Sequence, residues 1–178
     1  MTGLVQLFLA VGVGGFPGTD HVVASPDGVH AVVWQEPTAS DPEFTHHLLM
    51  LDKRTNRRSP MMPFLRNTRV AWAPSGRYVA VTCRCGSDFS DVSVFDTQHS
   101  VKVVSLTKEL QRRVGRIHVL DNHHAYVEAL GWLDDTTLRI HLWGYGERSP
   151  KGFDWQYVFE LSGRARLVSA KDGLPSER

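Results

Sequence analysis

Apolar residues in this chain come in short runs separated by polar turns, and one arrangement of run and turn occurs three times. The runs at 22–24, 70–73 and 130–133 each lead into a tight turn, and another short, mainly apolar run follows each turn. Runs of this length that are rich in Val, Leu and aromatic residues predict β-strands rather than helices. The chain is therefore predicted to repeat a pair of antiparallel strands.

The three turns differ in their chemistry. Ser-Pro-Asp-Gly occupies 25–28 and Ala-Pro-Ser-Gly occupies 73–76, whereas the third turn reads Leu-Asp-Asp-Thr at 133–136. Proline presets φ near the start of a turn, and glycine accepts a positive φ at its end. The third turn lacks both residues, so the pattern does not fix its type.

Two more strands complete each repeat. The third strands occupy 48–52, 92–96 and 157–161, and the fourth strands occupy about 59–63, 101–106 and 165–170. The unit is thus four antiparallel strands that recur at roughly 45–60 residues, and stacking such sheets buries both of their faces. The predicted fold class is all-β, with three antiparallel four-stranded blades.

The Pro-Gly turns, together with strands that end in Leu-Asp at 51–52 and Val-Phe-Asp at 94–96, carry a family resemblance. They resemble the repeats of TolB-like and WD40-like β-propellers over about residues 20–170, although the Trp-Asp dipeptide and the Gly-His pair of WD40 repeats are absent. The resemblance implies a propeller-type architecture and no particular substrate. Three blades imply a half or open propeller, because propellers usually contain four to eight. Trp72 and Trp132 occupy the same position of their units, which predicts that both pack between blades.

The pattern predicts one domain over 1–178, with blades at about 20–64, 67–106 and 123–170. The apolar run at 4–13 is interpreted as an N-terminal strand, and the Gly-Gly-Phe-Pro-Gly stretch at 14–18 as a loop. The insertion at 107–121 is predicted to hold a two-turn helix over 107–116, with Thr107 as N-cap and Gly115 as C-cap. A polar linking loop is the alternative interpretation of that segment.

Three blades would leave two broad sheet faces uncovered. Two copies could join into a six-bladed homodimer, segments 4–13 and 107–121 could cap the ends, or another protein could cover them. The homodimer is the simplest of the three solutions, because a two-fold axis uses the same edges of both copies and requires no capping segment or other protein. The expected partners are therefore another protein and a second copy of this chain.

Composition narrows the classes of function. The 178 residues contain 20 Lys+Arg against 19 Asp+Glu, so no domain-wide positive field exists to bind nucleic acid. The run at 4–13 is too short to span a membrane. Cys83 and Cys85 are too few for a disulfide framework and are expected to be buried free thiols, as in a reducing compartment. The cytoplasm is the expected location, or the periplasm or exterior if residues 1–18 are a signal remnant.

The histidine-rich segment 117–128 is the candidate for metal binding. Its potential ligands are His118, Asp121, His123 and His124. Adjacent histidines on a strand face opposite sides, so they converge on one ion only in a loop, and a site needs three or four ligands. No Gly-x-Ser-x-Gly elbow or phosphate loop is present, and the carboxylate pairs fall in predicted turns. We therefore expect no cofactor, no resident metal and no enzyme.

A long polar and aromatic loop is predicted at 144–156. It carries Tyr145, Arg148, Phe153 and Trp155, residue types enriched at binding hot spots. These four are the predicted contact residues, unless Phe153 and Trp155 enter the last strand and pack. The predicted function is non-enzymatic protein binding through rim loops or open blade faces, for example by an immunity or inhibitor protein. The alternative is a hydrolase or lyase with a His/Asp site in the channel of a propeller-like dimer.

Overall fold

The computed structural model describes residues 13–17, 22–37, 45–98 and 100–172. The strands are β1 (Val13–Phe16), β2 (Val22–Ala24), β3 (His30–Gln35), β4 (His46–Asp52), β5 (Arg57–Phe64), β6 (Asn67–Trp72), β7 (Tyr78–Arg84), β8 (Phe89–Asp96), β9 (Ser100–Val103), β10 (His124–Trp132), β11 (Thr137–Gly146), β12 (Ser149–Glu160) and β13 (Ala165–Asp172). One α-helix, α1 (Leu106–Val114), and one 3₁₀ turn, His118–Asp121, lie between β9 and β10.

The strands form three antiparallel meanders of four strands each. Blade 1 is β2-β3-β4-β5, blade 2 is β6-β7-β8-β9 and blade 3 is β10-β11-β12-β13. Blades 2 and 3 also share a short parallel pairing, in which Ala125 lies opposite Phe89 and Tyr126 opposite Ser90. The predicted all-β fold with three four-stranded propeller-type units and one short helix is confirmed, and the sheets are open rather than closed into a ring.

The turns explain how the first strand pair of each blade is joined. In blade 1 the Ser25 N–H donates to the His30 carbonyl at 2.9 Å, and Gly28 takes a φ of 71°. Blade 2 repeats this arrangement with Ala73 and Tyr78. In blade 3 the Leu133 N–H reaches the carbonyl of Thr137, so the turn is one residue shorter. The Asp134 carboxylate accepts the Thr136 N–H at 2.7 Å there and takes over the role of proline and glycine.

Two apolar cores lie between the blades. The first joins blades 1 and 2 through fully buried side chains such as Val32 and Val79, and the second joins blades 2 and 3 through Val94, Ile140 and others. The two equivalent tryptophans bridge these junctions, as predicted from their positions. The Trp72 indole N–H donates a hydrogen bond to the Val23 carbonyl at 3.2 Å, and the Trp132 indole N–H donates one to the Ala71 carbonyl at 2.8 Å.

Strand β1 corrects the interpretation of 14–18 as a loop. It pairs antiparallel with β6, so that Phe16 lies opposite Thr68, and the Phe16 side chain is buried in the first core. The glycines permit this close approach, because a Cβ on Gly14 would lie 2.3 Å from a methyl group of Val23. Of the strand predicted at 4–13, only Val13 belongs to the described residues.

Helix α1 begins earlier than predicted. Ser105, not Thr107, is the N-cap, and its hydroxyl accepts the Lys108 N–H, while Gly115 closes the helix at a φ of 84°. The Asp91 carboxylate of β8 sets this start, because it accepts the Ser105 hydroxyl at 2.5 Å and the Thr107 N–H at 3.0 Å. Leu110 is fully buried and fastens the helix to the second core.

The acidic residue of α1 gives a pH prediction. A hydrogen bond from Arg112, together with Arg113, lowers the pKa of Glu109 to about 2, below its usual 4.5. The contribution of Glu109 to the free energy of unfolding is therefore complete above about pH 4.5 and is lost as pH falls toward 2. We expect Glu109→Gln to lower the free energy of unfolding at pH 7 by less than about 1 kcal/mol, since the group is partly exposed. In this variant the free energy of unfolding should also fall less steeply between about pH 4.5 and pH 2. Urea unfolding curves from pH 7 to pH 2 would show this, and an acid dependence equal to that of the wild type would contradict it. Glu147→Gln in an exposed turn is the control.

Candidate functional site

Blade 3 has one face that turns away from both apolar cores. On β10 and β11, Val127, Ile140 and Leu142 point into the second core. Alternation along the strands places a different set on the opposite side, which we call the end face. Its members are His124, Tyr126, Glu128, Arg139, His141, Trp143, Tyr145, Asp154 and Gln156. Most are only partly buried, and neither core includes any of them.

Four aromatic side chains of the end face form a row of two stacked pairs, in which the ring centroids of His124 and Tyr126 are 6.5 Å apart. This set, which we call the aromatic row, consists of Tyr145, His124, Tyr126 and Trp143. Tyr145 and His124 are cross-strand partners with ring centroids 4.4 Å apart, and Tyr126 and Trp143 are partners at 4.3 Å. The interplanar angles of 26° and 25° are those of stacked rings. Tyr145, at the outer end of the row, keeps half of its side-chain surface exposed.

The rest of the end face is polar. His141 Nε2 lies 3.3 Å from Asp154 Oδ1, and the Arg139 guanidinium donates to the Gln156 side chain at 2.9 Å. Counted from the turn hydrogen bonds, the position of Arg139 corresponds to Val32 in blade 1 and Ala80 in blade 2, which face the next blade. A charged residue has replaced an apolar core residue there. The end face is therefore built for water or for a polar partner, because burying an unpaired charge in an apolar core is expensive.

The four predicted contact residues do not form one surface. The predicted loop at 144–156 is the β11–β12 hairpin, in which Gly146 lies opposite Ser149. Phe153 is fully buried in the second core and is not accessible to a partner, and Trp155 lies on the core face, with its indole donating to Asp172. Tyr145 lies on the end face, and Arg148 is exposed in the hairpin turn. His124, predicted only as a candidate metal ligand, and Tyr126, which was not predicted, lie with Tyr145 on the end face, and their alternation along β10 was a signal for a shared face.

The candidate metal ligands do not converge. The described part of the chain contains no group of three or more His, Cys, Asp or Glu side chains that could hold a metal ion. His118 packs edge-on against Trp155, and Asp121 pairs with Arg116 at 2.7 Å. His123 contacts the His124 ring edge-on. Aromatic neighbours and an arginine thus occupy the surroundings of these side chains, and the metal interpretation of 117–128 is not supported.

The two cysteines remain free thiols. Cys83 is buried as expected, whereas Cys85 is exposed, because β7 ends at Arg84 and the chain leaves the sheet there. The Cys85 thiol donates weakly to the Cys83 carbonyl at 3.5 Å. Within the described residues, no helix has the length and apolar character that a membrane crossing requires.

Comparisons with known proteins find likeness at the level of structure. No family model and no curated protein matches the chain. Solved structures that resemble it include a prolyl endopeptidase (TM-score 0.49, 13% identity, 91% of this chain and 23% of that one) and TolB from Acinetobacter baumannii (0.45, 13%, 85% and 32%). A third is an acylaminoacyl peptidase from Pyrococcus horikoshii (0.47, 11%, 86% and 24%). All three contain β-propeller domains. This chain thus spans between 23% and 32% of their lengths.

Proposed function

We propose that this domain is a non-catalytic protein-binding module and that the aromatic row is its contact surface. The observation that supports this is the row itself, two stacked pairs of aromatic rings that end in the half-exposed Tyr145 on a sheet face outside both cores. Tyrosine and tryptophan are the residue types that most often dominate binding energy. The strands on both sides fix the rings before binding, so little side-chain entropy is lost when a partner docks.

The chemistry of the two outermost sheet faces favours a different protein over a second copy. The face of blade 1 that points away from blade 2 carries Val22, Val33 and Leu51, at the positions where blade 2 has Val70, Val81 and Phe95. A six-bladed ring of two copies would press that apolar face onto the end face, with its Arg139 and His141. Charged groups buried against aliphatic side chains lose hydration without gaining partners.

The solution mass tests the homodimer. We expect light scattering on a sizing column to give a mass near 20.0 kDa across a dilution series, because the two faces do not match. A stable mass near twice that value would contradict this expectation and would favour the ring of two copies.

An immunity or inhibitor protein that covers the surface of an enzyme is one form of the proposed function. The alternative, a hydrolase or lyase, would use the His141–Asp154 pair on the same face, the 3.3 Å contact between an imidazole and a carboxylate. The two functions make opposite demands on the end face. Binding depends on Tyr145 and tolerates the loss of His141, whereas catalysis depends on His141.

The test compares three variants against the bound partner, once affinity capture and mass spectrometry have identified it. Tyr145→Ala is expected to weaken binding about thirtyfold, the effect of losing a hot-spot side chain worth about 2 kcal/mol. His141→Ala and the control Val168→Ala, on the exposed strand β13, should bind within about twofold of wild type. If Tyr145→Ala binds normally, the aromatic row is not the contact surface. Substrate turnover that is lost only in His141→Ala would favour the enzyme.

A further inference from the structure

A cavity lies beside Tyr126 of the aromatic row. At the edge where β6 begins and β7 ends, this cavity of about 420 Å³ opens to the surface. Its wall includes Arg66, Asn67, Arg84, Gly86, Ser87 and Tyr126. The volume is within the usual range for a small-ligand site, roughly 300–1,000 Å³. Tyr126 belongs both to this cavity, which we call the rim pocket, and to the aromatic row, so the two are continuous.

The charge of the rim pocket is positive. Arg66 and Arg84 line it, and none of its lining residues that the structure describes carries a carboxylate, although the Asp88 carboxylate lies beside Gly86. Arg66 makes no ion pair with any other residue that the structure describes. Arg84 is partly neutralised, because one of its guanidinium nitrogens lies 3.7 Å from Glu128 Oε1. Among the lining residues that the structure describes, the two guanidinium groups leave about one positive charge uncompensated, which suits a monoanion better than a dianion.

Arg84 and the turn after β7 are held in place by Tyr126. The Arg84 guanidinium carbon lies 5.9 Å from the centre of the Tyr126 ring, within the range of a cation–π contact. The Tyr126 hydroxyl donates to the Ser87 carbonyl at 2.8 Å and so fixes the turn after β7. The N–H groups of Gly86 and Ser87 donate to no acceptor among the described residues. Two arginines line the cavity together with the residues that carry these two N–H groups, a set of donors that suits a carboxylate.

We propose that the rim pocket binds a peptide carboxylate, and that a partner segment runs from this pocket along the aromatic row. This inference rests on the proposed protein-binding function and names the chemistry of the partner. Arginine binds a carboxylate through two parallel hydrogen bonds, and the aromatic row beside the pocket takes an apolar or aromatic side chain of the same segment. The carboxylate comes either from the end of a chain or from an aspartate or glutamate side chain.

The experiment titrates the full chain with short peptides and follows the backbone amide signals by NMR. The probes are N-acetyl-Gly-Gly-Phe with a free carboxylate, the same peptide as its amide, N-acetyl-Gly-Glu-Phe amide, and inorganic phosphate. We expect saturable shifts at Gly86 and Ser87 with a carboxylate probe and none with the uncharged amide. The first and third probes distinguish a chain end from an acidic side chain.

Matched variants complete the test. Arg84→Gln and Arg66→Gln are each expected to weaken carboxylate binding about tenfold, the value of one charge-assisted hydrogen bond. The control Arg139→Gln removes an arginine elsewhere on the end face and should bind like wild type. Equal binding of the uncharged amide, preference for phosphate, or full binding by Arg84→Gln would overturn the inference. The two proposals fail in distinguishable ways, because normal partner binding by Tyr145→Ala would overturn the aromatic row as contact surface, whereas absent carboxylate-dependent shifts at Gly86 and Ser87 of the wild-type chain would overturn the rim pocket.

Discussion

Replacing Gly144 by alanine is expected to destabilise the protein by about 3–5 kcal/mol, and to disturb the aromatic row most of all. A Cβ at this position would lie 2.0 Å from the His124 carbonyl oxygen, a backbone atom that cannot rotate away. Gly144 also has a φ of 153°, which side chains rarely adopt. Overpacking and backbone strain each cost about 1–3 kcal/mol. Urea unfolding measures the loss, and the tryptophan spectrum would report movement of Trp143, its chain neighbour.

Gly131→Ala is the matched control for this substitution. Gly131 has a similar φ of 145°, but nothing lies within 4 Å of the position that its Cβ would take. This variant measures the backbone strain alone, about 1–3 kcal/mol. If Gly131→Ala and Gly144→Ala cost the same, the approach of β10 to β11 at His124 is not tight, and the steric argument fails.

Truncating Trp72 to alanine is the second change with a large expected effect, a loss of about 3–5 kcal/mol. The indole is buried between blades 1 and 2, and its removal leaves a cavity there as well as a Val23 carbonyl without its donor. Thermal or urea unfolding gives the value. A loss below about 1 kcal/mol would mean that the first core does not depend on this side chain.

Two further variants separate packing from hydrogen bonding. Trp72→Phe keeps most of the apolar volume and removes only the donor, so it should cost about 1–2 kcal/mol. Trp132→Ala should cost less than Trp72→Ala, because Trp132 is only partly buried although it makes the same type of bond. The opposite order would show that the second junction depends on its tryptophan more than the first.

The repeat could be predicted because it rests on local physics. Alternation, strand length and the Pro-Gly turns are properties of neighbouring residues, and they predicted the three four-stranded units. Strand β1 was missed because Gly14 and Gly15 are typical of loops, and only the distant strand β6 makes their extended conformation favourable. The start of α1 was missed for a similar reason, since Asp91, fourteen residues before Ser105, selects the N-cap.

The set of side chains that share the end face depends on the pairing of strands distant in sequence, which no local pattern predicts. Tyr145 and Trp155 lie ten residues apart and looked equivalent in sequence, yet the β11–β12 hairpin puts them on opposite faces of one sheet. Tyr145 instead stacks on His124, which it meets only through the pairing of β10 with β11. The rim pocket likewise brings together Arg66 from the connection between β5 and β6, Arg84 from β7 and Tyr126 from β10.

The pairing of β1 with β6 has a mechanical consequence. All of blade 1 lies in the chain between these two strands, yet the strands are hydrogen-bonded neighbours. The chain therefore leaves blade 2, builds blade 1 and returns about one strand spacing from where it left, roughly 5 Å. A pulling force applied between β1 and the end of blade 3 would be carried by the β1–β6 ladder and would bypass blade 1 until that ladder broke. The number of residues in blade 1 could therefore change without moving the two points at which blade 1 joins the neighbouring sheet, Phe16 and Thr68.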